Sequence, residues 1–525
     1  MENHELNEKE IKKRRTFAII SHPDAGKTTL TEQLLFLGSA IRSPGTVKSR
    51  KSSTFATSDW MEIEKQRGIS VTSSVMHFTY HHYEITILDT PGHEDFSEDT
   101  YRTLLAVDSV VMLIDAAKGI ESQTKKLFRV CRDHGIPIFT FINKMDRYGK
   151  EPLELLEEIE SVLNIETFSM NWPIGMGQQF KGVYDRKLEH VELYQPNKTL
   201  ETIKLIDNSI KEKIPAPDLK KLKEDLLLID EAGNSFSNEK IQTGNQTPVF
   251  FGSAISSFGV PSFLNHFIEL APSPLPRETS NGKVHPVDTT FSGFIFKIQA
   301  NMNAAHRDRI AFLRICSGVF ERGMTAYLDR TGKAIRLSQG QQFFASNRNN
   351  IDTAYPGDII GLYDPGAYQI SDTLCGTKDT FSYGPLPQFP PEHFSKVKAR
   401  KALKQKHFYK GIQQLAEEGA IQVYRSSPSE DVILGVVGKL QYEIFEYRMK
   451  HEYGVDLQMD DLPHILAKWI EYENPATLLK GSSNLLVYDV KQRPVILFAS
   501  NFSLRWFQQH HPNISLFESP PERKE

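Results

Sequence analysis

Phe17-Ala18-Ile19-Ile20 leads into Ser21-His22-Pro23-Asp24-Ala25-Gly26-Lys27-Thr28, and Thr29-Leu30-Thr31-Glu32-Gln33-Leu34-Leu35 follows with helical spacing. An apolar strand, a glycine-containing turn and a helix in that order are the setting of a phosphate-binding loop. The N–H groups that open the helix point at the phosphates, and the helix dipole favours their charge. Lys27 would reach the β- and γ-oxygens, and the Thr28 hydroxyl would ligate Mg²⁺. Ser21 stands where the pattern's first glycine belongs, so either the serine takes backbone angles that glycine reaches freely or the loop does not need them. A lysine buried in such a turn with no anion would have no partner, which weighs against an empty structural loop.

Three more segments follow in chain order. Tyr83-Glu84-Ile85-Thr86-Ile87-Leu88, a strand run, precedes Asp89-Thr90-Pro91-Gly92-His93. Asp89 can hold Mg²⁺ through its water shell, and the Gly92 N–H is free to meet a γ-phosphate. His93 is the candidate catalytic residue, an imidazole placed to orient the attacking water; a helix-start histidine facing solvent is the plainer alternative. Ile138-Phe139-Thr140-Phe141-Ile142 then leads to Asn143-Lys144-Met145-Asp146, at a strand's C-terminal end, where open α/β sheets bind ligands. The Asp146 carboxylate can accept from guanine N1–H and the 2-amino group, which adenine does not offer in that arrangement. Lys144 would lie along the base plane and Asn143 would brace the loop. Pro248-Val249-Phe250-Phe251 precedes Gly252-Ser253-Ala254, which would give a backbone N–H to the guanine oxygen. Each segment alone is weak; together they meet the separate demands of phosphate, magnesium, guanine edge and base plane.

The chain has 525 residues and 39% hydrophobic content, enough for roughly three globular domains. Lys plus Arg total 62 against 66 Asp plus Glu, and the net charge of −4 gives no global attraction to nucleic acid. DNA is therefore not an expected partner, and any RNA contact must be local. Cys131, Cys316 and Cys375 are scattered and read as reduced thiols. No apolar stretch has the length of a membrane span or a signal peptide, so a cytoplasmic protein without membrane contact is expected.

Strands alternate with helices to about residue 270, which reads as a doubly wound parallel sheet. Residues 150–246 read as an inserted subdomain whose helical part, 219–231, is polar enough for a solvated face. Pro272, Pro274 and Pro276 form a stiff linker. From 284 to about 385 the apolar period becomes two and glycine turns at Gly318, Gly323, Gly357 and Gly366 punctuate it, which predicts an antiparallel β-barrel. After about 391, helical spacing over 402–418, a strand at 432–437 and a second helix at 438–451 predict an α+β sandwich. Domain boundaries fall at 1–276, 277–388 and 389–525. Lys396, Lys398, Arg400, Lys401, Lys404, Lys406 and Lys410, interleaved with Phe394, His407, Phe408 and Tyr409, read as a basic helix: a solvated face or a phosphate-backbone contact.

Between the first two nucleotide segments lies Arg67-Gly68-Ile69-Ser70-Val71-Thr72. It resembles the first switch of the translational GTPases of the elongation factor G-like family, with Ser70 in place of a threonine. Residues 309–318 and 356–362 resemble the second domain of that family. The resemblance implies that Ser70 is the switch hydroxyl for Mg²⁺, with Thr72 as competitor, and that Pro23 and Ile69 form the apolar gate beside His93. It implies GTP/GDP and Mg²⁺ as cofactors and a ribosome-stimulated GTPase. The termination members of the family eject codon-reading class I release factors after peptide release, with ribosome and release factor as partners, and the basic run would then meet ribosomal RNA. An elongation factor G-like or ribosome-protection GTPase is the alternative. Those members carry two further domains for which this chain is expected to have no room. A nucleotide-gated binding module without hydrolysis also stays open, with His93 against it. The chain has no Gly-Gly-Gln, so it is not expected to cleave the peptidyl ester itself.

Overall fold

The structure is a computed structural model describing residues 2–43, 63–64, 70–194, 200–300, 309–338, 340–344, 347–427, 429–472, 474–479 and 484–519. In chain order the first part carries β1 (Arg14–Ser21), β2 (Ser74–Tyr80), β3 (Tyr83–Asp89), β4 (Ser109–Asp115), β5 (Ile138–Asn143) and β6 (Glu166–Ser169). A separate four-stranded sheet follows, of β7 (Asn171–Ile174), β8 (Gly182–Asp185), β9 (His190–Tyr194) and β10 (Leu200–Lys204), and then β11 (Gln246–Phe251). The central sheet has the order β2-β3-β1-β4-β5-β11-β6. Chain order reverses beside β1, so the loop after β1 opens at the switch point where α/β sheets bind ligands. Phe17, Ile19, Val111 and Leu113 face one apolar layer, while Ala18, Ile20, Val110 and Met112 face the other. Burial on both faces is why these strands read as unbroken apolar runs.

Three readings of this region are corrected. The sheet is not wholly parallel, because β2 pairs antiparallel with β3 through a connection too short for a parallel crossover. Nor is 150–246 all insertion. The Pro152–Leu163 helix leads to β6, which pairs with β11 as the edge of the central sheet. Within the inserted part, the Ala216–Ala232 helix is not simply a solvated face: it buries Leu219, Leu222, Leu226 and Ile229 at helical spacing. Charged residues at the other positions mask that stripe in a composition reading.

The proline segment is packed down rather than spanning free space. Leu275 N–H donates to Asp108 at 3.0 Å, and Arg277 donates to the Leu105 and Val107 carbonyls. Beyond it, eight antiparallel strands from Ser292 to Cys375 curl around Phe291, Ile295, Leu313, Ile360 and Leu374. All four turn glycines named above have positive φ, from 64° to 102°. The outer face of this sheet presents Phe294, Phe296, Ile310 and Phe312 to the core of the nucleotide-binding part. Arg314 and Asp108, both essentially unexposed, pair across that joint.

The last part is an eight-stranded antiparallel sheet with helices Gln405–Glu417, Leu440–His451 and Asn501–His510. Here the expected basic helix is corrected. Lys396 and Lys398 lie on the strand His393–Ala399, Lys404 closes a short 3₁₀ turn, and the α-helix starts at Gln405. Strand alternation buries Ser395, Val397 and Ala399 on one face and puts Lys396 and Lys398 on the other, which broke the helical count. Lys396 is tied to Asp431 at 2.6 Å.

Candidate guanine-nucleotide site

Gly26 opens the Lys27–Leu37 helix with φ 99°, and Asp24 just before it has φ 66°. The positive angles of this loop therefore fall at Asp24 and Gly26. Ser21 has none, and its hydroxyl donates to the His22 carbonyl at 2.9 Å. That resolves the missing first glycine: the loop does not need one there. A Cβ on Gly26 would collide with Asn143 Nδ2. Asn143 in turn donates to the Ala25 carbonyl at 2.8 Å and accepts from Ala254 N–H at 2.8 Å, so one side chain joins the first, third and fourth segments. Gly26→Ala is expected to weaken nucleotide binding roughly 10- to 100-fold, the effect of ~1–3 kcal/mol of backbone strain. Titration with a fluorescent GDP analogue measures this, and unchanged affinity would remove the loop from the site.

Lys27 is buried and has partners after all. It bonds the Thr90 carbonyl and lies 3.0 Å from Asp89 Oδ1. Asp89 is 1% exposed, and its Oδ2 accepts no hydrogen bond among the described residues. Thr90 donates to the Ile19 carbonyl at 2.7 Å, which fixes the second segment against β1. Pro23 and Gly92 approach closely, with a Cβ on Gly92 standing 3.6 Å from Pro23 Cα. His22 is buried with Nε2 3.1 Å from Glu121; burial lowers its pKa against the opposing pull of Glu121. Thr28 and Thr29 are half-buried on the first helical turn.

Lys144, at φ 69°, donates to the Asp24 carbonyl and to Asp115 Oδ2 at 2.7 Å. Ser253 donates to Asp146 Oδ1 at 2.5 Å, and Met145 N–H donates to the Gly252 carbonyl at 3.1 Å. Asp115 was missed by sequence reasoning. It ends β4 beside the β1 loop, and that position at a strand's C-terminal end was the available signal. Lys144 and the N–H of Ala117, 2.9 Å away, hold its carboxyl below the usual range despite burial.

His93 caps a 3₁₀ turn. Its Nδ1 accepts from Asp95 N–H at 3.3 Å and lies 3.2 Å from Asp95 Oδ1. The Asp95 carboxylate also accepts Leu440 N–H at 2.8 Å, so the histidine's own hydrogen-bond partner touches the last part of the chain.

Ile69 lies outside the described residues. Ser70 is half-buried at the start of the described switch segment. Beyond it, Val71 and Thr72 donate backbone N–H to buried Glu64, and Ser73 donates twice to Asp99. Lys297 of the curled sheet is fully buried and bonds the Ser73 carbonyl, with Asp99 3.8 Å away. Ile63, Val71 and Phe96 form one apolar cluster with Ile444 of the last domain. A cavity of about 60 Å³ lined by Thr72, Lys297 and Arg448, among others, sits where the three parts meet. Glu64, Asp95, Asp99 and Lys297 carried no motif signal; Asp99, Lys297 and the Asp95 carboxylate meet partners distant in sequence.

Known proteins resemble the chain along nearly its whole length. Residues 12–273 match the family described as elongation factor Tu GTP binding domain, and 290–377 match elongation factor G domain 2. Residues 383–508 match class II release factor RF3, C-terminal domain. A crystal structure from Thermus thermophilus shares the fold at TM-score 0.71 and 20% identity, covering 91% of this chain and 72% of that one. A curated relative in Listeria monocytogenes serotype 4b, named peptide chain release factor 3, is 55% identical over 97% of this chain and 98% of its own length. One of the same name in Enterococcus faecalis is 57% identical over 97% and 99%. Three successive domain matches and identity over nearly the whole length thus attach to the four converging nucleotide segments, and the chain belongs to the peptide chain release factor 3 family, as a translation-termination GTPase that binds guanine nucleotide.

Proposed function

We propose that the chain hydrolyses GTP to GDP and phosphate on the ribosome in the cytoplasm, and that the cycle drives codon-reading class I release factors off after peptide release. Residues Ser21 to Thr29 cradle the phosphates, Asn143 to Asp146 with Ser253 and Ala254 hold the base, and His93 orients water. Mg²⁺, held by Thr28, Ser70 and, through water, Asp89, would offset the phosphate charge when bound. The buried Asp89 Oδ2 without a donor suits that role. Lys27, now on Asp89 and Thr90, has the reach to neutralise β- and γ-oxygens. The domains we assign are 1–276, 277–388 and 389–525, with the insertion inside the first.

The observation that carries the release-factor reading is the contact of Asp95 with Leu440, which links the segment holding His93 to the domain that matches the release-factor family. A ligand shifts an equilibrium only by its differential affinity, so the γ-phosphate acts on a partner only through such a joint. That domain match favours release over translocation or ribosome protection. The basic strand and helix at 396–410 are the candidate contact with ribosomal RNA. Among the described residues no helix is long and apolar enough to cross a membrane.

Stopped-flow measurement on terminated ribosomes carrying a labelled class I release factor tests the proposal. The protein with GTP is expected to speed departure of the label, while peptide release proceeds without it. Equal departure rates with and without protein and GTP would end the release-factor reading.

A further inference from the structure

The inserted sheet leans on both segments that would hold the base. Asn171 of β7 is fully buried and pairs with both backbone groups of Phe251, donating to its carbonyl at 3.1 Å and accepting its N–H at 2.7 Å. Phe251 is the residue before Gly252-Ser253-Ala254. Beyond β7, the Gly177 N–H donates to the Met145 carbonyl at 2.8 Å, within Asn143 to Asp146. β9 ends at Tyr194, whose ring stacks on Phe258 with centroids 3.9 Å and planes 16° apart. The Tyr194 hydroxyl accepts the Gly259 N–H at 2.8 Å, and its O–H donates to Glu192. Burial, then Glu192, pushes that hydroxyl up, so it stays protonated and serves as donor and acceptor at once.

Residues 252–259 are a loop closed on itself. The Ser253 N–H donates to the Phe258 carbonyl at 2.8 Å, and the Phe258 N–H returns to the Ser253 carbonyl at 3.0 Å. Little backbone room is left: a Cβ on Gly252 would stand 2.4 Å from the Phe258 carbonyl oxygen, and Ser257 and Gly259 turn the chain with φ of 66° and 74°. Packing this tight transmits a displacement rather than absorbing it. Ser253, on one side of the closing pair, donates to Asp146, while Phe258, on the other, lies against Tyr194. Two bonded residues thus separate Tyr194 from the Asp146 carboxylate.

We propose that Tyr194 is a positioning residue for guanine recognition: from the inserted sheet it holds the 252–259 loop so that Ser253 keeps Asp146 aimed at the base, and it thereby sets how long nucleotide stays bound. This rests on the assignment of Asp146 and Ser253 to the base. The stacked ring and the hydroxyl contribute separately, the one by packing and the other by satisfying an N–H at a helix start that has no partner within the helix. GTP and GDP carry the same base, remote from the γ-phosphate, so a loosened loop weakens both and leaves the chemical step alone. Loss of such uniform binding raises KM and spares kcat.

Release of a fluorescent GDP analogue from the full-length protein, followed by stopped flow, tests this in Tyr194→Phe and Tyr194→Leu. Tyr194→Phe, which keeps the ring and orphans the Gly259 N–H, is expected to release the analogue roughly tenfold faster, the effect of one lost buried hydrogen bond. Tyr194→Leu, which loses the stacking too, is expected to be faster still. Ribosome-stimulated GTP turnover should show a raised KM at unchanged kcat. The preference for GDP over IDP, which lacks the 2-amino group that would donate to Asp146, should narrow in both variants. A merely structural Tyr194 would lower the melting temperature and leave release and the GDP to IDP ratio at wild-type values; that result overturns the proposal, and Tyr194→Phe delivers it even where the leucine variant does not fold. Asp146→Asn is measured alongside. If it turns to XDP while the Tyr194 variants match the wild type, the role of Tyr194 falls alone. If it keeps its guanine preference, the base assignment falls and this inference with it.

Discussion

His93→Ala is expected to leave GTP and GDP affinity nearly unchanged and to cut ribosome-stimulated turnover by at least ~10²-fold, the size of a positioning or proton-transfer effect. The contacts the structure gives His93 are to Asp95 and the edge of Phe96, so truncating it removes no support from the phosphate loop. Turnover in the absence of ribosomes should change far less, because water is positioned only when the switch is assembled. Single-turnover hydrolysis with and without ribosomes separates the two rates. Full stimulated turnover in the variant would return His93 to the plainer role of a capping residue for the turn that follows it.

Asp146→Asn is expected to move base preference from GTP towards XTP by ~10⁴, since a site built to pair particular donors rejects an analogue that leaves its own polar groups unpaired. The geometry makes this swap cleaner than truncation. Ser253 donates to Asp146 Oδ1, and the amide oxygen of asparagine keeps that bond while its NH₂ replaces the acceptor facing the base. Competition between GTP and XTP for GDP-loaded protein gives the ratio directly. A variant that keeps the wild-type preference would show that Asp146 does not read the base.

Much of the fold was legible because the central strands are buried on both faces. Phe17 to Ile20 and Ile138 to Ile142 read as apolar runs ended by polar loop residues, and each ends at a nucleotide segment. The glycines that punctuate the curled sheet were equally readable. Two things were not. Strand direction at β2 depends on a short connection rather than on side-chain pattern, and membership of β6 in the central sheet depends on a partner about eighty residues away. The basic run misled for a different reason: lysines at 396 and 398 alternate with buried residues, and two alternations are too few to set a period of two against one of 3.6.

The same division holds at the site. Candidate ligand residues set by local geometry, such as Gly26 at its positive φ or Asp146 in the loop after its strand, were legible from spacing. Residues that hold those in place were not, because their partners come from elsewhere in the chain. Asp115 steadies Lys144 from β4, and Lys297 reaches the switch from the second domain. Burial lowers the Lys297 pKa while Asp99 and Glu64 raise it, a balance visible only once three remote segments meet.

Asp95 serves two masters. Its backbone N–H meets His93, and its carboxylate holds Leu440 where a side chain on Gly438 would collide with it. Whatever displaces the last domain therefore moves the group that orients the histidine ring. Equilibrium linkage makes the traffic two-way: if a bound partner changes guanine-nucleotide affinity by some factor, the nucleotide changes affinity for that partner by the same factor. If His93 orients water as proposed, the Asp95 carboxylate is then the joint through which the nucleotide would set how tightly the far domain grips what it binds.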